Sequence, residues 1–229
     1  MMRLPMVEVF ESIQGEGPFM GRRALFFRLA GCNLVGKCKE CDTDFRFRFW
    51  MTDEEIVERV ARFEDDGGTL VIFTGGEPMI YQDKISAITD EFSYKIKTQI
   101  ETNGIIAPSK EFLMSVDRIV ISPKRGFEKY AYNNYTDYGF KRRISDWKFV
   151  VGDVPEDSRF WSFNDIGGQI NELLRRNVKK ERIWLMPYGS TKDEIEKNSK
   201  KVWENALKFG VNYSDRLHIR IFKKSIMGV

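Results

Sequence analysis

All three cysteines of this 229-residue chain lie on one stretch, Cys32-Asn-Leu-Val-Gly-Lys-Cys38-Lys-Glu-Cys41-Asp-Thr43. Cys38 and Cys41 form a C-x2-C pair whose short loop can turn two thiolates toward one metal centre, and Cys32 stands upstream on the same loop. A cubane iron–sulfur cluster normally takes four cysteines. With three, one iron is left open to an outside ligand, and an open coordination position separates a reactive metal site from a closed structural one. The cysteines alone also fit two plainer arrangements: a zinc site completed by His218, the only histidine, or ordinary thiols. A disulfide framework does not fit, because the count is odd and the N-terminal Met-Met-Arg-Leu-Pro-Met lacks the apolar core of a secretory signal.

The elements around this loop follow from periodicity. Residues 6 to 12 alternate as a strand, which Gln14-Gly15-Glu16-Gly17-Pro18 breaks; a glycine-flanked glutamate there can reach a polar ligand with little obstruction. Residues 24 to 30 form the next strand and run into the cysteine loop, with Arg28 the one charge in an apolar run, either on an exposed edge or facing a site that needs a cation. Thr52-Asp-Glu-Glu55 is a capping box opening a helix to about residue 64. The apolar run 69 to 74 reads as a buried parallel strand. A helix near 82 to 94, a strand at 97 to 102, a helix at 108 to 115 and a strand at 118 to 122 follow. Residues 125 to 145 read as a loop-like insertion rich in Tyr, Asn, Lys and Arg. Strands at 147 to 151 and 182 to 186 flank a helix at 164 to 176, and a second capping box at Thr191-Lys-Asp-Glu194 opens a helix to about 209. Residues 217 to 222 read as a final strand.

Six or seven βα units predict parallel strands with helices outside, and the chain is short for a complete eight-unit barrel of ~250 residues. The expected α/β fold is therefore an incomplete, TIM-like barrel forming one domain over residues 1–229. Ligands in such barrels sit at the C-terminal ends of strands. Five polar segments fall there: the cysteine loop, Gly75-Gly76-Glu77-Pro78, Glu101-Thr-Asn-Gly104, Ser122-Pro123-Lys124 and Met186-Pro187-Tyr188-Gly189. Composition agrees with a globular chain, at 42% hydrophobic and 14% aromatic residues. The net charge of +3 comes from 37 basic and 34 acidic residues, so no single-sign surface argues for direct nucleic-acid binding. No apolar run reaches the ~18 residues of a membrane span, and the thiols point to a reducing cytoplasm.

Together these motifs resemble the radical S-adenosylmethionine enzymes and, within them, the 7-carboxy-7-deazaguanine synthase family. The resemblance runs along nearly the whole chain: Gln14-Gly-Glu-Gly, Arg28-Leu-Ala-Gly-Cys32-Asn-Leu, Cys41-Asp-Thr43, Thr74-Gly-Gly-Glu-Pro78, Glu101-Thr-Asn-Gly104, Ser122-Pro-Lys124 and the segment at Leu217-His218. Two features depart from the superfamily pattern. The first cysteine gap is C-x5-C where C-x3-C is usual, with Gly36 able to fold the longer loop back. Glu40 stands where an aromatic residue often lies beside the adenine, so that contact is weaker or made elsewhere.

The resemblance implies that Cys32, Cys38 and Cys41 hold a [4Fe-4S] cluster whose open iron binds S-adenosylmethionine. It implies a carbon–nitrogen lyase that abstracts hydrogen from C6 of 6-carboxy-5,6,7,8-tetrahydropterin, contracts the ring and releases ammonia, in queuosine- or archaeosine-type 7-deazapurine biosynthesis. Gly75, Gly76 and Glu77, with Ser122, Pro123, Lys124, Met186, Pro187, Tyr188 and Gly189, are expected at the S-adenosylmethionine site. Ile13, Gln14, Gly15, Glu16, Arg28, Thr74 and the Val229 carboxylate are expected at the substrate, Arg28 pairing with its carboxylate. Thr43 is expected to bind Mg2+. A flavodoxin-like electron donor and a homodimer are also implied. The rival readings are a glycyl-radical activating enzyme and a non-enzymatic zinc-binding nucleic-acid module.

Overall fold

A computed structural model describes residues 2–36, Cys38, Cys41, 45–136 and 144–224. In chain order the elements are β1 (Arg3–Ile13), β2 (Arg23–Leu29), β3 (Phe49–Thr52), α1 (Asp53–Asp65), β4 (Leu70–Gly75), α2 (Gln82–Thr89), β5 (Lys97–Thr102), α3 (Lys110–Ser115), β6 (Arg118–Ile121), α4 (Glu128–Thr136), β7 (Ser145–Gly152), β8 (Trp161–Ser162), α5 (Ile166–Arg175), β9 (Ile183–Pro187), α6 (Lys192–Phe209), β10 (Asn212–Tyr213) and α7 (Leu217–Phe222). The sheet order is β10-β9-β7-β6-β5-β4-β2-β1-β3, with β8 beside β7. Every pairing from β2 to β10 is parallel, while β1 runs antiparallel to β2 and β3 antiparallel to β1. This is the partial TIM-like barrel expected from the βα alternation.

The two faces of the sheet do different work. Leu25, Phe27, Val71, Phe73, Ile100, Ile119, Ile121, Phe149, Ile183 and Leu185 face the helices and form the main core with Ile56, Phe63, Ile85, Ile170 and Val202. Alternation sends their neighbours inward. At the N-terminal ends of β2 and β4 the inward residues are apolar, and Ala24, Phe26, Leu70 and Ile72 form a plug with Phe10 and Phe19, beside which β6 and β7 place the ion pair of Arg118 with the buried Asp146 at 3.0 Å. One pleat nearer the C-terminal ends the inward positions turn polar, with Arg28 paired in register to Thr74. The barrel is thus sealed below and polar above.

The helix starts agree with their sequence signals. Thr52 and Glu55 form a reciprocal capping box on α1, as do Thr191 and Glu194 on α6, and Gly210 ends α6 in the left-handed region at φ 65°. Three segments differ from expectation. Residues 217 to 222 form the helix α7, not a strand: the Leu217 N–H donates to the Gly15 carbonyl and the Arg220 N–H to that of Arg216. Ile219 is its one buried residue, whereas Ile221 and Phe222 face outward, so the apparent alternation is the short face of a helix. The 125 to 145 segment contains α4, whose Ala131, Tyr132 and Tyr135 are buried. α2 stops at Thr89, where the Thr89 hydroxyl bonds back to the Ile85 and Ser86 carbonyls.

Candidate active site

The C-terminal ends of the parallel strands open into one cavity of about 530 Å³, of the size that holds a cofactor-sized ligand. Cys32, Cys38 and Cys41 all line it, and none forms a disulfide. Cys32 is held by the close approach of two backbones. Gly76 donates to the Leu29 carbonyl at 3.0 Å and Glu77 to the Gly31 carbonyl at 2.9 Å. A Cβ on Gly76 would lie 1.7 Å from the Gly31 oxygen, so only glycine fits, and Gly75 holds φ 117° beside Leu29. The Asn103 amide donates to Asn33 at 2.7 Å, tying the cysteine loop to the end of β5. Burial pushes the Cys32 thiol up, the Leu34 N–H opposes this, and charge on Glu77, Cys38 and Cys41 adds to it. A cation bound beside Cys32 would oppose that rise and favour its thiolate.

Among the described residues, no three metal-ligating side chains converge tightly enough for a single ion. A cubane cluster places each thiolate on a different iron, so three thiols lining one cavity suit it and leave the fourth iron open. His218 is elsewhere: it packs on Gly15, with Nε2 3.9 Å from Glu16. The thiol donor set and the glycine cradle fit a three-cysteine cluster.

The opposite part of the cavity is ionic. The Glu16 carboxylate accepts from Lys148 at 2.6 Å and from Arg216 at 2.9 Å. Lys148, on the inward face of β7, also lies 3.9 Å from Glu101. Glu101 accepts from Gln14 at 3.0 Å, Thr74 at 3.0 Å and Gln99 at 3.3 Å. Burial pushes the Glu16 carboxyl up, but Lys148 and Arg216 outweigh it and hold the group far below the usual carboxylate range. Burial likewise pulls the Lys148 ammonium down, and Glu101 and Glu16 overcome it to raise it. The turn between β1 and β2 carries Glu16 across the open side of the barrel, where Gly17 donates to Ser214 at 2.7 Å.

Of the expected site residues, Gly75, Gly76, Ser122, Lys124, Met186, Tyr188 and Gly189 line the cavity, as do Glu16 and Thr74. Lys124 donates to Ser122 at 2.9 Å and stands over the Phe160 ring, which packs against Tyr188. Glu77 points elsewhere. Its buried carboxylate accepts from the Met79 N–H, the Thr102 hydroxyl and the Asn103 N–H, so it braces β4 against β5 rather than facing the cavity. Pro123, Pro187, Gly15 and Ile13 are not among the lining residues, and Ile13 is half exposed. Arg28, level with Thr74, is not among the residues that line the cavity: its Nε donates to Glu8 at 2.6 Å and its plane lies over Phe10. Thr43, Glu40 and Val229 lie outside the described residues. Sequence reasoning missed Lys148, Arg216 and Phe160 as site residues; Lys148 carried a signal like that of Arg28, the one charge in the otherwise apolar run 147 to 151.

Fold and site together define an enzyme of the cysteine-ligated, barrel-top kind, and comparison with known proteins agrees. The Radical SAM superfamily profile matches residues 28–145, just over half of the chain. The chain is 31% identical to 7-carboxy-7-deazaguanine synthase of Hyperthermus butylicus, over 95% of this chain and 92% of that protein, and 30% identical to its counterpart in Pyrobaculum aerophilum, over 95% and 94%. Among solved structures, QueE from Escherichia coli superposes with a TM-score of 0.64 at 22% identity, covering 95% of this chain and 96% of that one. Streptococcus suis SuiB bound to its precursor peptide gives 0.58 at 14% identity, covering 86% of this chain and 49% of that one, a likeness of fold alone. The chain belongs to the radical SAM superfamily and, within it, to the 7-carboxy-7-deazaguanine synthase family. A [4Fe-4S] cluster and S-adenosylmethionine are accordingly its cofactors.

Proposed function

We propose that the chain converts 6-carboxy-5,6,7,8-tetrahydropterin to 7-carboxy-7-deazaguanine with loss of ammonia. The observation that carries this reading is one cavity with thiols on one wall and a buried ionic floor on the other. Cys32, Cys38 and Cys41 would hold the cluster. When bound, the cluster and S-adenosylmethionine supply the hydrogen-atom abstraction that starts the reaction. Gly75 and Gly76 leave room for backbone to approach the cofactor, and Ser122, Lys124 and the Met186 to Gly189 segment wall its other side. Phe160 and Tyr188 offer an aromatic face there, which answers the lack of an aromatic residue at Glu40.

Ile13, Gln14, Gly15, Glu16 and Thr74 bind the pterin. Arg28 meets the substrate carboxylate with its terminal nitrogens, Glu8 occupying only Nε among the described residues. Thr43 and the Val229 carboxylate complete the site, Thr43 as a ligand of Mg2+, which keeps most of its coordination for water and substrate oxygen. The apolar plug below and the β1–β2 turn across the open side keep water from the reacting carbon. The exposed Cys41 gives a flavodoxin-like donor access to the cluster, and the exposed Phe49 and Trp50 on edge strand β3 offer a face for a homodimer. Among the described residues no helix is long and apolar enough to cross a membrane, and the thiols suit a reducing cytoplasm.

The test is anaerobic reconstitution with iron and sulfide, followed by reduction, addition of S-adenosylmethionine and the pterin, and mass spectrometry of the product. Product in many-fold excess over consumed cofactor is expected, and Arg28→Ala should lose it while keeping the cluster. Cofactor cleavage without this product would overturn the substrate, and a colourless protein binding one zinc would overturn the enzyme.

A further inference from the structure

The ionic floor contains a lysine that the proposed chemistry does not require. Lys148 is 5% exposed, and its ammonium has left water to stand between two carboxylates of the cavity, Glu16 at 2.6 Å and Glu101 at 3.9 Å. One layer below, the barrel interior holds the apolar Phe26, Leu70 and Ile72 together with a buried Asp146 paired to Arg118 and Arg182, and buried ion pairs are commonly no better for stability than well-packed apolar side chains. The two carboxylates are also supported unequally. Glu16 has Arg216 as a second cation, with His218 at 3.9 Å. Glu101 is hydrogen-bonded only by the neutral groups of Gln14, Thr74 and Gln99, so Lys148 is its nearest cation among the described residues.

We propose that Lys148 is a positioning residue for substrate recognition, whose buried ammonium holds Glu16 and Glu101 as a pair of hydrogen-bond acceptors for the 2-amino-4-oxopyrimidine edge of the substrate. This rests on the pterin reading. The N3–H and 2-amino N–H of that ring are parallel donors, and a carboxylate meets two parallel donors with both oxygens. A protonated carboxyl would present an O–H to a donor and lose the match. Without Lys148, Arg216 is the one full cation among the described residues in ion-pair contact with Glu16 or Glu101, and two carboxylates so placed in one cavity take up a proton between them. The charged and titratable groups around this centre are Glu16 from the β1–β2 turn, Glu101 from β5, Lys124 following β6, Arg216 just before α7 and His218 within it.

The experiment is steady-state kinetics against pH for wild type, Lys148→Met and Lys148→Arg, with S-adenosylhomocysteine binding followed by calorimetry. Lys148→Met should raise KM for the pterin on the order of 10- to 100-fold while moving kcat far less, as expected for lost charge-assisted binding. Its KM should fall as pH rises and the shared proton leaves, a dependence absent from wild type. Lys148→Arg should restore the wild-type pH profile, and S-adenosylhomocysteine binding should be the same in all three. A Lys148→Met enzyme with KM within about twofold of wild type and an unchanged profile would overturn the assignment. So would a Lys148→Arg enzyme as impaired and as pH-dependent as Lys148→Met. If Lys148→Met does not fold, the charge-balanced double variant Lys148→Met/Glu101→Gln should fold and show the raised KM with no new pH dependence; a parental KM there would overturn the proposal. Wild type that consumes S-adenosylmethionine but never this pterin would overturn the functional reading itself, and the role of Lys148 with it.

Discussion

Replacing Gly76 by alanine puts a methyl group where the Gly31 carbonyl already is. The added Cβ would lie 1.7 Å from that oxygen and 2.5 Å from its carbon. A carbon–oxygen contact needs about 3.3 Å, so the two backbones must part by about 1.6 Å. That movement breaks the bonds from Gly76 to Leu29 and from Glu77 to Gly31. Two backbone hydrogen bonds at about 1 kcal/mol each, with overpacking of about 1–3 kcal/mol, give a loss of about 3–5 kcal/mol. Against a typical total of about 5–15 kcal/mol this is large, and Cys32, next to Gly31, moves with it. Urea unfolding of the apoprotein measures the first effect, and iron and sulfide content after reconstitution the second. Gly168→Ala is the control: it sits in α5 with nothing within 4 Å of the added Cβ, and should gain about 0.5–1 kcal/mol. If Gly76→Ala unfolds within about 0.5 kcal/mol of the parent and takes up the same iron, the close approach is not what holds the cysteine loop.

Three further outcomes follow from the same geometry. Glu77→Ala strands the Met79 and Asn103 N–H groups and the Thr102 hydroxyl, and should cost about 3–5 kcal/mol by urea unfolding, whereas Glu77→Gln, which keeps one acceptor oxygen, should cost less. Burial notwithstanding, Lys148 and Arg216 hold the Glu16 carboxyl below its usual 4.5, so its contribution to stability is complete above that pH and is lost as the pH falls below it. Glu16→Gln should therefore destabilise the protein clearly at neutral pH, with the gap to wild type narrowing in acid; a gap independent of pH would refute the ion-pair account. Phe160→Leu should weaken S-adenosylhomocysteine binding about 2- to 10-fold by calorimetry and Phe160→Trp should preserve it, since the face of the ring is what the adenine would use.

Much of the fold was legible because its signals are local. Both capping boxes and the strands at 70–75 and 97–102 depend on neighbours three or four residues away, and they are found where the sequence puts them. Residues 217 to 222 were misread because Leu-His-Ile-Arg-Ile-Phe satisfies strand alternation over six residues. The hydrogen bond from Leu217 to Gly15 that seats them as a helix crosses about two hundred positions of chain.

The site divides in the same way. The sequence by itself determined the thiol set, the glycines at 75 and 76, and the order of βα units that must bring them to one rim, because spacing within a loop and period within a strand are properties of adjacent residues. Only the tertiary structure decided which charges face one another. Arg216 belongs to no motif and meets Glu16 across 200 residues, and Lys148 becomes a floor residue only when pairing of β7 with β6 and β9 turns it inward. It also decided that Glu77 braces two strands while Glu16 faces the cavity. An ion pair is made by distance in space, and the chain acquires those distances only when the barrel closes around them.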